Sequence, residues 1–294
     1  MTGKNPTIML NNGVRMPALG LGVFQSPPEE TVPAVEAALQ IGYRLIDTAA
    51  YGNEKEVGEG IRRSGLDRSE VFVTTKLWLS DYGYESALRA FDTSLGKLGL
   101  DYLDLYLLHW PVPSTFEATV ASYRAAEKLL AEGRVRAIGV CNHNPAHLRT
   151  LTEQTEVVPA VNQVELHPYF VQREVREADA GHGIVTQSWS PLGGVNVYWD
   201  GGRNKAKNPL EHPTVGEIAA RYGKTPAQVI LRWHLEHGLS AIPKSVKAHR
   251  IAENFDIFDF TLTAGEVASI NTIDTGVRGG PDPDGARRSS YSDS

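Results

Sequence analysis

The sequence predicts a closed (β/α)8 TIM barrel, an α/β fold, with an N-terminal β-hairpin and long rim loops. Three observations point there. Short apolar runs alternate with helix-period segments along the chain, eight such units can be counted, and no linker or change of composition separates them. Strand–helix–strand succession makes neighbouring strands parallel, with right-handed crossovers. Length alone would allow two domains, but 294 residues also suit one barrel. Residues 1–294 are therefore read as a single domain, ending in a C-terminal loop or tail over 276–294.

The elements follow in order. Ile8-Met9-Leu10, Asn11-Asn12-Gly13 and Val14-Arg15-Met16 read as a hairpin, because Asn-Gly tolerates the positive φ of a tight turn. Strands are expected at Ala18–Leu21, Leu45–Asp47, Val71–Thr75, Leu103–Leu108, Ala137–Val140, Ala160–Val164, Ile184–Ser188 and Ser240–Ile242. Asn144-Pro145 starts a helix, and Thr225-Pro226-Ala227-Gln228 adds a capping-box spacing to the same signal. Gly133 stops the helix that runs through Leu129-Leu130. After Thr225, the residues Val229, Ile230, Trp233 and His237 share a face suited to packing on a sheet. Gly193 to about Pro213 and the tail from Gly276 are rich in Gly, Pro, Asn and Asp and read as loops.

Composition narrows the function. A net charge of −6 disfavours a nucleic-acid partner. A single cysteine, Cys141, excludes an internal disulfide and a cysteine-rich zinc site. Residues 1–13 lack the apolar core of a signal peptide, and no apolar run is long enough to span a bilayer, so a soluble cytoplasmic chain is expected. Nucleotide motifs fail locally. Gly20-Leu21-Gly22 is followed by Gln25 where a dinucleotide fingerprint needs its third glycine, and Gly223-Lys224-Thr225 lacks the first glycine of a P-loop.

The strand ends say more. Asp47, Lys76 and His109 end or follow consecutive strands at the barrel rim that carries chemistry, and Asn162, Gln163 and Glu165 come from the sixth. Adjacent strands lie about 4.8 Å apart, so the first three can converge. Tyr51 belongs to the same rim. An ammonium about 4 Å from a phenol favours the phenolate by roughly three pKa units, which suits proton exchange with a carbonyl or alcohol near neutrality.

With those residues in view, the sequence resembles the aldo-keto reductases, most closely the bacterial branch near the diketogluconate reductases. The segments that carry the likeness are 42–49 and 51–54 (Gly-Tyr-Arg-Leu-Ile-Asp-Thr-Ala and Tyr-Gly-Asn-Glu), 75–78, 107–111, 162–168, 189–192, 242–246 and 250–254. The resemblance implies a monomeric barrel that binds NADPH across its rim and reduces a small-molecule carbonyl compound, an aldehyde, ketone, dicarbonyl or keto sugar, to an alcohol. It implies Tyr51 as proton donor, Lys76 and Asp47 tuning its phenol, and His109 orienting the carbonyl. It assigns Asn142, Gln163 and Cys141 to the nicotinamide amide, Trp189 to stacking on the ring, and Val23, Ser190 and Leu192 to the surrounding cofactor wall. Lys244, Ser245 and Arg250 match the grip on the 2′-phosphate, with Glu253 and Asn254 near the adenine. Such a grip favours NADPH over NADH, since a phosphate dianion suits cationic donors at a helix start. Phe24, Trp78 and Trp110 are expected to wall the substrate pocket, with the tail as a cover.

Two departures from the family pattern stand out. Asp47 and Tyr51 are one residue closer than usual, and Cys141 stands where a serine is usual. The short loop keeps open the alternative of a catalytically silent NADP(H)-binding module on the same fold. A barrel isomerase or lyase without nicotinamide is a third class, opposed by Trp189 and the 244–254 segment.

Overall fold

The computed structural model of the protein describes residues 5–50, 52–193 and 208–289. Its main sheet joins β3 (Leu21–Gly22), β4 (Leu45–Asp47), β5 (Phe72–Leu77), β6 (Leu103–Leu108), β7 (Val135–Cys141), β8 (Val161–Glu165), β9 (Val185–Trp189) and β10 (Ser240–Ala241), hydrogen-bonded in that order and all parallel. The seam closes through parallel bridges Leu19↔Ala241 and Gly22↔Lys244. The fold is the expected (β/α)8 barrel.

The first strand departs from expectation for a physical reason. Around Ala18–Gly20 the backbone pairs with the last strand, Gly20 N–H donating to Ala241 O and Ala241 N–H to Ala18 O, both at 2.9 Å. Leu21–Gly22 then turns to β4. One segment thus serves two neighbours, which shortens the ladder it shares with either. The same closure explains the failed glycine motif: a Cβ on Gly20 would lie 2.5 Å from Leu45 Cγ, and one on Gly22 would lie 2.9 Å from Ile242 O.

The hairpin forms from β1 (Thr7–Met9) and β2 (Arg15–Pro17). Its turn is tied to the N-terminal end of the barrel, with Asn11 and Asn12 side-chain amides donating to Pro159 O and Arg136 O at 2.9 Å. Leu10 and Met16 join Leu45, Phe72, Leu105, Leu107, Ala137 and Val161 in one buried cluster, so the hairpin plugs the closed end. Each of the larger side chains in it contributes about 2 kcal/mol of apolar transfer.

Helices cover the outside. Thr225 and Gln228 form the predicted capping box on helix Pro226–Glu236, which buries Val229, Ile230 and Trp233. His237 ends the helix half-buried, packs edge-on against Trp233 with centroids 4.9 Å apart and bonds Asn271 Oδ1 at 3.0 Å. The helices Phe116–Ala131 and Pro145–Thr152 stop and start where Gly133 and Asn144 predict. Through residue 289 the tail is seated rather than loose: Glu165 accepts from the Gly279 and Gly280 N–H groups at 2.7 and 2.8 Å, and Asn144 Nδ2 donates to Asp284 at 3.0 Å. Among the described residues, no helix is long and apolar enough to cross a membrane.

Candidate active site

The carboxyl ends of β4, β5, β6, β8 and β9 surround a cavity of about 190 Å³ that runs on past Ser190–Gly193 to Pro243 and Lys244. Asp47 and Lys76 sit at its floor, 5% and 4% exposed. Burying two charges is tolerable only with close pairing and further hydrogen bonds, and Lys76 and Asp47 each have both. Lys76 Nζ donates to Asp47 Oδ1 at 2.5 Å and to Thr48 O at 2.8 Å, and Gln163 Nε2 donates to Asp47 Oδ2 at 2.8 Å. Gln163 Nε2 also reaches Gln187 Oε1 at 2.7 Å, and Gln187 donates to Ser240 Oγ at 3.0 Å. A polar chain therefore crosses the barrel interior from β5 to β10. Gln187 and Ser240 escaped the sequence reading. The signal was available, since alternation along β9 puts Gln187 on the same face as Trp189.

His109 follows β6 and lines the cavity. Burial, and secondly the Lys76 charge, push its imidazole well below the ordinary histidine range, so it is neutral at physiological pH. Trp78 meets it edge-on, with centroids 5.0 Å apart, and Trp110 stacks at 6.4 Å. Asn142 takes a left-handed backbone, φ +59°, which asparagine tolerates better than most residues. Its Nδ2 donates to His109 O at 3.1 Å, and its Oδ1 accepts from Trp189 Nε1 at 2.8 Å.

Tyr51 lies outside the described residues. The residues on either side of it are tightly bonded. Thr48 N–H donates to Thr74 O at 2.9 Å, Ala50 N–H to Lys76 O at 3.1 Å, and Gly52 N–H to Ala49 O at 2.9 Å. Asn53 staples it from outside, accepting from Thr48 Oγ1 at 3.1 Å and donating to Val23 O at 2.9 Å and Ser26 O at 3.1 Å. That staple also escaped the sequence reading.

The remaining candidates divide. Val23, Phe24, Trp78, Trp110, Ser190, Leu192 and Lys244 line the cavity with the groups above. Cys141 is fully buried in the interior cluster, where burial pushes its thiol up. Ser245 Oγ accepts from Lys247 N–H at 3.1 Å, at the start of helix Ala248–Phe255. Arg250 is exposed on that helix, Glu253 accepts from Thr225 Oγ1 at 2.9 Å, and Asn254 is buried. Lys244 is half-buried, and desolvation lowers its ammonium below the usual lysine range against the pull of Glu30. Glu165 and Asn162 do not line the cavity: Glu165, at the end of β8, anchors the tail, and Asn162 faces Asp179 on helix Arg173–Gly181. Among the described residues, no group of three or more His, Cys, Asp or Glu is placed to hold a metal ion.

A sequence model of the Aldo/keto reductase family matches residues 18–275. The chain is 56% identical to a morphine 6-dehydrogenase of Pseudomonas putida, over 100% of this chain and 99% of that one. It is 46% identical to a methylglyoxal reductase of Escherichia coli (strain K12), over 95% and 98%. A Bombyx mori aldo-keto reductase, solved in complex with NADP, superposes with a TM-score of 0.87 at 35% identity, covering 94% of this chain and 95% of that one.

Proposed function

The chain belongs to the aldo/keto reductase family, and we propose on that premise that it is an NADP-dependent oxidoreductase interconverting carbonyls and alcohols, with Tyr51 as the proton donor. The observation that carries this reading is the buried Lys76–Asp47 pair facing a neutral His109 at the floor of an aromatic-walled cavity. A silent nucleotide-binding module has no use for two buried charges, and the residues flanking Tyr51, Thr48, Ala50, Gly52 and Asn53, are each hydrogen-bonded in place.

The cavity suits an extended dinucleotide. At one end Lys244 precedes the N-terminus of helix Ala248–Phe255, a fitting seat for a phosphate. At the other, Trp189 and Ser190–Gly193 offer a wall for a flat ring, and Gln163 keeps Oε1 for an amide. Bound NADPH would supply the hydride. His109, neutral, donates a hydrogen bond to the substrate oxygen and places the carbonyl carbon. Lys76 stabilises the Tyr51 phenolate that remains once the proton is given to that oxygen, and Asp47 keeps the ammonium charged and aimed. Phe24, Trp78 and Trp110 wall the substrate end. Such a wall discriminates weakly, about 1–3 kcal/mol per methylene, so several aldehydes, dicarbonyls and bulky cyclic ketones should be accepted.

The test is loss of NADPH absorbance with a panel of aldehydes, dicarbonyls and cyclic ketones, run with wild type and Tyr51→Phe. Turnover that disappears in Tyr51→Phe while NADPH still quenches tryptophan emission supports the assignment. Binding without turnover across the panel supports the silent module instead.

A further inference from the structure

We propose that Asn162 and Asp179, outside the cavity, are positioning residues that set Asn142 and Trp189 against the nicotinamide. The proposal rests on the cavity being the NADPH site. Asn162 lies on β8 between Val140 and Thr186 in register, on the opposite face from Gln163. Its amide clamps the backbone of His143 from both sides: Nδ2 donates to His143 O at 2.9 Å, and Oδ1 accepts from His143 N–H at 3.3 Å. The clamped residue directly follows Asn142, whose left-handed backbone carries the side chain that bridges Trp189 Nε1 and His109 O. A left-handed non-glycine residue costs about 1–2 kcal/mol and persists where its surroundings hold it.

Asp179 completes the clamp. One oxygen accepts from Asn162 Nδ2 at 3.1 Å and the other from Thr186 Oγ1 at 2.7 Å. The carboxyl is fully buried, and among the described residues it has no ion-pair partner. Burial accordingly pushes it up to about 7, against those two hydrogen bonds. A lone buried carboxyl is a costly way merely to fill space. Here it fixes which way the Asn162 amide faces, and so which way His143 and Asn142 are held.

The experiment measures NADPH Kd by quenching of tryptophan emission, and kcat at saturating cofactor, in wild type, Asn162→Ala, Asp179→Asn, Asn142→Ala and the Asn142→Ala/Asn162→Ala double variant. Asn162→Ala should weaken NADPH about tenfold and Asp179→Asn about threefold, with kcat within about threefold and the indole N–H resonance of Trp189 shifted. In the Asn142→Ala background the added loss from Asn162→Ala should vanish, because its path to the cofactor is already cut. Additive losses, or an unshifted indole resonance with full affinity, would overturn the proposal. Should Asn162→Ala not fold, the milder Asp179→Asn decides by the same readouts. A wild-type chain that binds no NADPH would instead defeat the cofactor assignment itself, and the proposal with it.

Discussion

At the floor of the cavity Lys76, Asp47 and Gln163 are buried and bonded to one another, whereas at its far end Lys244 is half-buried and Arg250 stands exposed on a short helix. The two ends ask different things of the chain. Proton transfer needs groups held within a few tenths of an ångström in a water-poor setting, where each charge acts strongly. Holding a phosphate needs cations and free N–H groups, and those serve while partly solvated. The reacting end should therefore answer to acid and to single-atom changes, and the phosphate end to salt.

The largest break at the reacting end is Lys76→Met. It removes the ammonium that supports the Tyr51 phenolate and leaves Asp47 buried with Gln163 as its remaining side-chain donor. We expect kcat to fall about 10³-fold and urea unfolding to show a loss of about 3 kcal/mol. Loss of turnover without loss of stability would mean the pair is more solvated than its burial implies.

Acid sharpens the contrast next. His143, whose backbone Asn162 clamps, is held down to about 3 by burial, despite the bond between its Nδ1 and Cys141 O. Its folded value lies below the unfolded one of about 6.5. The stability it contributes is complete above that pH and is lost as pH falls toward the folded value, at about 1.4 kcal/mol per pH unit. His143→Phe should flatten the fall in unfolding free energy between pH 6 and 4 by about that slope. Burial and the Lys76 charge also hold His109 well below the ordinary histidine range, so no step in kcat near pH 6.5 should trace to it.

At the phosphate end, Lys244→Ala should weaken NADPH about tenfold, or 1.4 kcal/mol, and leave NADH nearly unchanged. In wild type, NADPH affinity should drop with added salt more steeply than in the variant, since a partly exposed cation is screened. Equal losses for both cofactors would move the 2′-phosphate away from Lys244.

What the sequence made legible tracks how local each cause is. Asp47, Lys76 and His109 stand at successive strand ends, so alternation and topology suffice to bring them together. The helix start at Asn144-Pro145 and the capping box at Thr225 are likewise written within four residues. The divided first strand was not legible, because its second partner lies more than two hundred residues away at Ala241. Nor was the Asn53 staple, which joins loops distant in sequence, or the Gln163–Gln187–Ser240 chain, which depends on barrel closure. Glu165 stands at the end of its strand as expected, but only the folded tail reveals that its partners are there and not in the cavity.

Those partners provide the smallest and last test. The Glu165 carboxylate is fully buried and accepts from Gly279 N–H, Gly280 N–H and, at 3.1 Å, His167 Nε2. Glu165→Gln keeps one acceptor oxygen and turns an amide N–H toward a backbone donor, a cost of about 1–2 kcal/mol that falls on the tail's seating. Hydrogen exchange over 276–289 should therefore quicken several-fold, while exchange in the barrel strands stays as it was. Among the described residues, none of 276–289 lines the cavity, so kcat and the carbonyl KM should move by less than about twofold. A larger change in carbonyl KM, with NADPH affinity preserved, would place the tail over the substrate and extend the salt-and-acid contrast to a third region of the rim.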